Sequence, residues 1–290
     1  MQLLSLLVVL CVVAVLTEDD TAPHLQIQQQ LKDLFPTEYH SFPSNPSTTA
    51  SSANLNGKSD YLKTLSNRGI RTSQYALISS SSTSLPDPVD LNLFVEEGLR
   101  TFSSLLPLLP PPSHSTSILE LGSFEGSSAI FFSEFLLSHP SSSLHCVDLW
   151  SSASYETNPS SQTIIGSIIR GSLSDNSAWS YFTSNIKLTP NGHKVHAFST
   201  STFTFLTSLL LLSPPPLYDL LYIDASHVRL DVLTDAVLSW KLLKVNGIAV
   251  FDDYGGGEGC GEGIDAFLKG VGEDGEIILK GYQLAIRKIR

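Results

Sequence analysis

The stretch "YIDASH" sets Asp224 and His227 three residues apart, and "VFDDY" sets Asp252 and Asp253 about 28 residues further on. Carboxylates hold hard divalent cations, and an imidazole takes protons near neutral pH. Three carboxylates crowded at one point repel each other unless one is protonated or a cation neutralises them. An all-oxygen set of this kind, Asp224, Asp252 and Asp253, suits Mg²⁺ or another hard divalent ion. The plainer alternatives are helix-capping or solvated acids, and a polar-rim histidine.

A second group lies upstream in "ILELGSFEGSSA", Ile118 to Ala129. An apolar run ends in an acid and meets Gly122, with Gly126 four residues later. That pattern reads as a strand, a tight turn and a helix start. The backbone N–H groups of such a turn can face a ligand that approaches closely. The dinucleotide fingerprint G-x-G-x-x-G is absent, because Ser123, Phe124 and Glu125 separate the two glycines. The acids Glu120 and Glu125 oppose a pyrophosphate and favour a ligand with a cationic centre and ribose hydroxyls. S-adenosylmethionine (SAM) carries a sulfonium, an ammonium and no phosphate. A further strand, "LHCVDLW", ends at Asp148, 22 residues after Gly126. A carboxylate there can accept from both ribose hydroxyls. Leu149 and Trp150 follow, where apolar surface can face an adenine.

The elements that position these residues alternate. "SILEL", "LHCVDLW", "KVHAFS", "YDLLYIDAS" and "GIAVFDD" read as strands. "SSAIFFSEFLLS", "NSAWSYFTSNIK", "FTFLTSLLLL", "DVLTDAVLSWKLLK" and "GIDAFLK" read as helices. In the fourth of these, Val232, Val237, Trp240 and Leu243 fall near one face, and Lys244 with Asn246-Gly247 marks its end. "GEIILKG" and "YQLAIRKI" pair as a terminal antiparallel hairpin. The expected fold is α/β, a Rossmann-like doubly wound, mainly parallel sheet with an antiparallel C-terminal strand pair. Such sheets bind ligands beyond the carboxyl ends of their strands, where every residue named above lies. "GGGEGCGEG", Gly255 to Gly263, reads as a mobile loop beside the site, and 158–174 as a substrate lid or an insertion.

The segment "LELGSFEGSSA" resembles motif I of class I SAM-dependent methyltransferases. It is closest to the variant in catechol-type O-methyltransferases, where another residue replaces the middle glycine. From Ile118 to Arg290, about 60% of the chain, the order of motifs is similar to the small O-methyltransferases that include macrolide-sugar enzymes. "VDLW", "YIDASH", "LLKVNGIAVFDDY" and "IDAFLKG…LKGYQLAIRK" carry that resemblance. It implies SAM as cofactor, held by Glu120, Gly122, Ser123, Phe124, Gly126, Ser128, Asp148, Leu149, Trp150 and Asp224. It also implies a divalent cation on Asp224, Asp252 and Asp253, with His227 as the base that deprotonates a small-molecule hydroxyl. Asp253 departs from the Asn of catechol-type enzymes. Two other readings stay open: a SAM-fold binding or scaffold protein without chemistry, and a nucleotide-dependent oxidoreductase.

The rest of the chain is less patterned. Residues 1–17 hold an apolar run, Leu3 to Leu16, too short for a spanning helix and of the length of a signal-peptide core. This predicts secretory entry with no stable membrane span after removal; a cytoplasmic protein is the alternative. Residues 18–85 are rich in Ser and Pro and lack a core-forming period, although "SDYLKTLSNRGIRTSQYALI" contains a short helix pattern. The methyltransferase-like part, 86–290, opens with the helical "PVDLNLFVEEGLRTFSSLL". The 290 residues carry a formal net charge of −11 and three cysteines, Cys11, Cys146 and Cys260. No basic stripe of a nucleic-acid binder is visible, no cysteine spacing marks a metal site, and nothing fixes the oligomeric state.

Overall fold

The computed structural model describes residues 21–44, 68–70, 98–151, 174–256 and 258–290. The apolar run at Leu3–Leu16 lies outside them, as do most of the 59–78 helix pattern, the first part of the 88–106 pattern and all but one residue of 158–174. Among the described residues no helix is long and apolar enough to cross a membrane.

The chain divides into two compact units, Met1–Pro36 and Thr37–Arg290. The described part of the first is helix α1, Thr21–Leu34, with a Gln29–Asp33 side-chain hydrogen bond one turn apart. The second unit opens with a three-residue strand, β1, Tyr39–Ser41. Neither element was foreshadowed by a hydrophobic period.

Beyond these run α2 (Leu99–Leu105), β2 (Ser117–Leu121), α3 (Ser127–Phe135), β3 (Ser143–Asp148), α4 (Ser177–Lys187) and β4 (Val195–Ser199). There follow α5 (Thr202–Leu210), β5 (Tyr218–Ile223), α6 (Arg229–Trp240), β6 (Leu243–Phe251), α7 (Glu258–Val271), β7 (Gly275–Lys280) and β8 (Leu284–Lys288). The eight strands form one sheet in the order β1-β4-β3-β2-β5-β6-β8-β7. The five central strands are parallel; β1 is antiparallel to β4, β8 to β6 and β7 to β8. This is the expected Rossmann-like sheet with an antiparallel C-terminal pair.

The five central strands are largely apolar because helices cover both faces. Alternate residues Ile118, Leu144, Cys146, Leu220, Tyr222, Ile248 and Val250 join one core with Phe131 and Phe132 of α3 and Phe102 of α2. Phe102 meets Phe132 edge-on at 5.1 Å, and Phe132 meets Tyr222 at 5.4 Å. Their neighbours point the other way: Phe198 packs on Phe205 of α5, and Phe251 on Phe267 of α7.

Three local expectations need correction. The fourth predicted helix ends at Trp240, not at Lys244. Residues 244–247 belong to a bulge, because the β5–β6 register jumps from Tyr218↔Leu243 to Leu220↔Ile248. Asn246 has φ +67° there, and Lys244 is drawn to Asp219 at 2.8 Å. Val237, placed on the apolar face by its spacing, is 43% exposed; the buried face of α6 is Val232, Asp235, Ala236 and Ser239. Finally, the glycine-rich 255–263 stretch is not all loop, since α7 starts inside it at Glu258. A Cβ at Gly259 would lie 2.1 Å from the His227 carbonyl oxygen, and one at Gly263 2.7 Å from that of Arg229. These glycines allow α7 to pack its backbone directly on the segment that leads into α6.

Candidate active site

β2 lies between β3 and β5, so the chain order reverses at β2 and β5. A crevice opens at such a switch point, beyond the carboxyl ends of the strands. The residues ending β2, β3, β5 and β6 are therefore the ones that face it.

The β2 end is the glycine turn. Gly122 has φ +85°, and a Cβ on it would lie 1.9 Å from the Asp224 carbonyl oxygen. Gly126 has φ +89°, with Phe182 of α4 2.9 Å from its would-be Cβ. No L side chain fits at Gly122, because a positive φ and backbone contact coincide. Beneath the turn Glu120 is fully buried, and its carboxylate accepts from the hydroxyls of Ser123 (2.5 Å) and Ser128. Burial raises its pKa, while those two hydroxyls oppose the rise. Glu120 thus braces the turn from inside.

At the β3 end, Asp148 accepts from the backbone N–H groups of Ser123 (3.0 Å), Phe124 (2.9 Å) and Trp150 (2.7 Å). Burial raises its pKa and these N–H groups lower it. Leu149 is exposed. Trp150 is buried against Trp179 and Phe182, and its Nε1–H donates to the Phe124 carbonyl. The structure therefore gathers Glu120, Gly122, Ser123, Phe124, Gly126, Ser128, Asp148 and Trp150 around one turn.

At the β5 end, the backbone N–H of Asp224 donates to Leu121 O, which ties this strand end to the glycine turn. Burial, then the charges of Asp252 and Asp253, push the Asp224 carboxyl well above the usual range. At the β6 end, Asp252 accepts from the Tyr222 hydroxyl (3.0 Å) and Gln283 Nε2 (2.9 Å). Its pKa is raised by burial and by Asp253, against the pull of Gln283 and Tyr222. Asp253 accepts from the Tyr282 hydroxyl, and its Oδ2 lies 3.1 Å from His227 Nε2. The same nitrogen is 4.0 Å from Asp224 Oδ1. Among the described residues no Lys or Arg pairs with these three acids, so an arriving cationic ligand would relieve the crowding that raises the Asp224 and Asp252 pKa values.

Three bulky residues at these ends hold positive φ: Phe124 (43°), Trp150 (45°) and Asp253 (53°). Each costs of order 1–3 kcal/mol, which persists only where neighbours over-determine the backbone. Here the Asp148 and Trp150 hydrogen bonds hold the first two, and His227 with Tyr282 holds the third.

Sequence reasoning missed Tyr222, Tyr282, Gln283 and Cys260. The first three orient Asp252 and Asp253 from about 30 residues away, which no local spacing reveals. Cys260, in the first turn of α7, is buried, and its thiol is pushed up to about 12 by burial and by Asp253, Asp224 and Asp252. Among the described residues, the trio that brings one donor atom each within 4.8 Å of one another is His227, Asp253 and Cys260.

Residues 119–254, which span the β2, β3, β5 and β6 ends, match the model of a family described as a methyltransferase domain. A comparison with curated proteins finds no match. Among solved structures the chain is similar to the O-methyltransferase TomG of Streptomyces achromogenes, involved in tomaymycin synthesis and solved with SAM. The TM-score is 0.50 at 14% identity, over 79% of this chain and 90% of that one. It is also similar to the calicheamicin methyltransferase CalS11, at TM-score 0.50 and 13% identity, over 84% of this chain and 98% of that one. The matched span and the shared fold agree with the turn at Gly122, the acid at Asp148 and the switch-point crevice: residues 119–254 match a methyltransferase domain, on the fold that these O-methyltransferases share.

Proposed function

We propose that this chain transfers the methyl group of SAM to a hydroxyl oxygen of a small-molecule acceptor, with His227 as the base. The observation that carries this reading is the 3.1 Å contact between His227 Nε2 and Asp253 Oδ2 beside Asp224, one strand end away from the glycine turn. SAM supplies an electrophilic methyl carbon: the C–O bond forms as the C–S bond breaks, and its electron pair stays on sulfur. Asp148 accepts from the ribose hydroxyls, exchanging some of its present N–H partners for them. Gly122 lets the cofactor approach the backbone, and the crowded acids at the mouth favour the sulfonium. His227 donates Nε2–H to Asp253, which leaves Nδ1 to take the hydroxyl proton. Asp253 then stabilises the imidazolium, as a carboxylate behind a catalytic histidine does.

The carboxyls of Asp224 and Asp252 adjoin, and after burial the charge of Asp252 is what most favours a proton on Asp224. An all-oxygen set has the chemistry of a hard divalent cation, with Asp224, Asp252 and Asp253 as its holders, but among the described residues these three do not bring donor atoms within 4.8 Å of one another, so the carboxyls would have to converge on the ion. Bound there, Mg²⁺ would polarise the acceptor oxygen.

The test supplies SAM with a trideuterated methyl group to a panel of hydroxylated small molecules and follows products by mass spectrometry. An acceptor carrying the labelled methyl on oxygen is expected, and His227→Ala should slow its formation by about 10²–10⁴. Label found only on nitrogen or carbon, or a variant as fast as the wild type, would defeat the assignment.

A further inference from the structure

We propose that His227, Asp253 and Cys260 form a binding site for one thiophilic divalent cation of the zinc class. Their donor atoms already lie within 4.8 Å of one another, and the His227–Asp253 pair is at 3.1 Å. Zinc bonds of about 2.0–2.3 Å put two ligands of a tetrahedral ion roughly 3.3–3.8 Å apart, so closure needs side-chain shifts of about 1 Å. A small cavity lined in part by Asp224, His227, Asp252 and Cys260 adjoins the trio, and Asp253 does not line it. Asp224 Oδ1, 4.0 Å from the His227 nitrogen, or a water, would complete the fourth position.

The site is built into the backbone. Gly259 presses α7 onto the His227 carbonyl, which fixes Cys260 next to the imidazole. Tyr282 donates to the other Asp253 oxygen, an outer-shell bond of the kind that orients a ligating carboxylate. A buried cysteine is more often a small apolar filler. This one faces an imidazole and carboxylates instead. The choice of ion follows from the donors: a thiolate and an imidazole favour zinc over Mg²⁺, which takes oxygen and keeps its waters. Cys260 lies beyond the matched span, which ends at Tyr254.

Binding releases the thiol proton to solvent. A further consequence rests on the proposed function. A neutral imidazole that gives Nε2 to the ion carries its proton on Nδ1 and accepts no second one, so zinc occupancy removes the base and lowers turnover.

The experiment titrates the metal-free full-length protein with Co²⁺ and records its absorption spectrum. A tetrahedral visible spectrum with a thiolate-to-cobalt charge-transfer band is expected, bleached by Zn²⁺. Cys260→Ser should lose the band and weaken Zn²⁺ binding by at least about tenfold, the scale set by loss of even an outer-shell partner. Cys146→Ser should keep both, and SAM binding by each variant reports an intact fold. Zinc-edge absorption of the wild type, which needs no variant, should show one sulfur at about 2.3 Å. No cobalt binding, or binding without a sulfur ligand, overturns the site. A sulfur-ligated ion that leaves turnover unchanged supports the site and overturns His227 as the base.

Discussion

Asp235 turns the buried face of α6 into a measurable pH dependence. It is 3% exposed, and its pKa rises from 3.8 to about 7, chiefly through burial, with Asp231 adding to the rise and the Thr202 hydroxyl opposing it. Between pH 4 and 7 the folded chain therefore holds a proton on Asp235 that the unfolded chain has released. Stability falls as pH rises through that window and is level above it. The gap of about three pH units corresponds to about 4 kcal/mol in full, at about 1.36 kcal/mol per unit. Some two units of it lie between pH 5 and 8, or about 3 kcal/mol. Asp235→Asn keeps the shape and a partner for Thr202 but cannot ionise. Urea unfolding of both proteins at pH 5, 6, 7 and 8 isolates the effect, because titrating groups not coupled to Asp235 cancel in the difference. The variant should gain on the wild type by about 3 kcal/mol from pH 5 to pH 8. A difference that stays constant with pH, or grows toward acid, would refute the reasoning.

Asp148→Ala should weaken SAM binding by about 1.5–3 kcal/mol, the worth of charge-assisted hydrogen bonds, when read by calorimetry on folded protein; unchanged affinity would remove its ribose role. Excess EDTA should suppress turnover, and added Mg²⁺ should restore it with SAM affinity little changed; full activity in EDTA would dispose of metal assistance.

The central sheet was legible because parallel strands buried on both faces must be apolar, as in "SILEL" and "YDLLYI", and because helical patterns separate them. The turn at Gly122 and Gly126 was legible because positive φ and close backbone approach leave few alternatives to glycine. β1 was not. Tyr-His-Ser has no apolar alternation, and its place depends on pairing with β4. Asp235 escaped notice because a charged residue at that helical position reads as solvated until α5 covers it. Asn246-Gly247 looked like a helix cap, yet the same left-handed backbone serves a bulge. Cys260 and His227 are 33 positions apart in a stretch whose glycines read as flexibility; their contact is a product of helix packing.

The most direct measurement is a calorimetric titration of the folded full-length chain with SAM and, separately, with NAD. The account predicts one SAM site per chain and no heat from NAD. Binding of NAD, or no binding of SAM by protein that unfolds cooperatively, would contradict it.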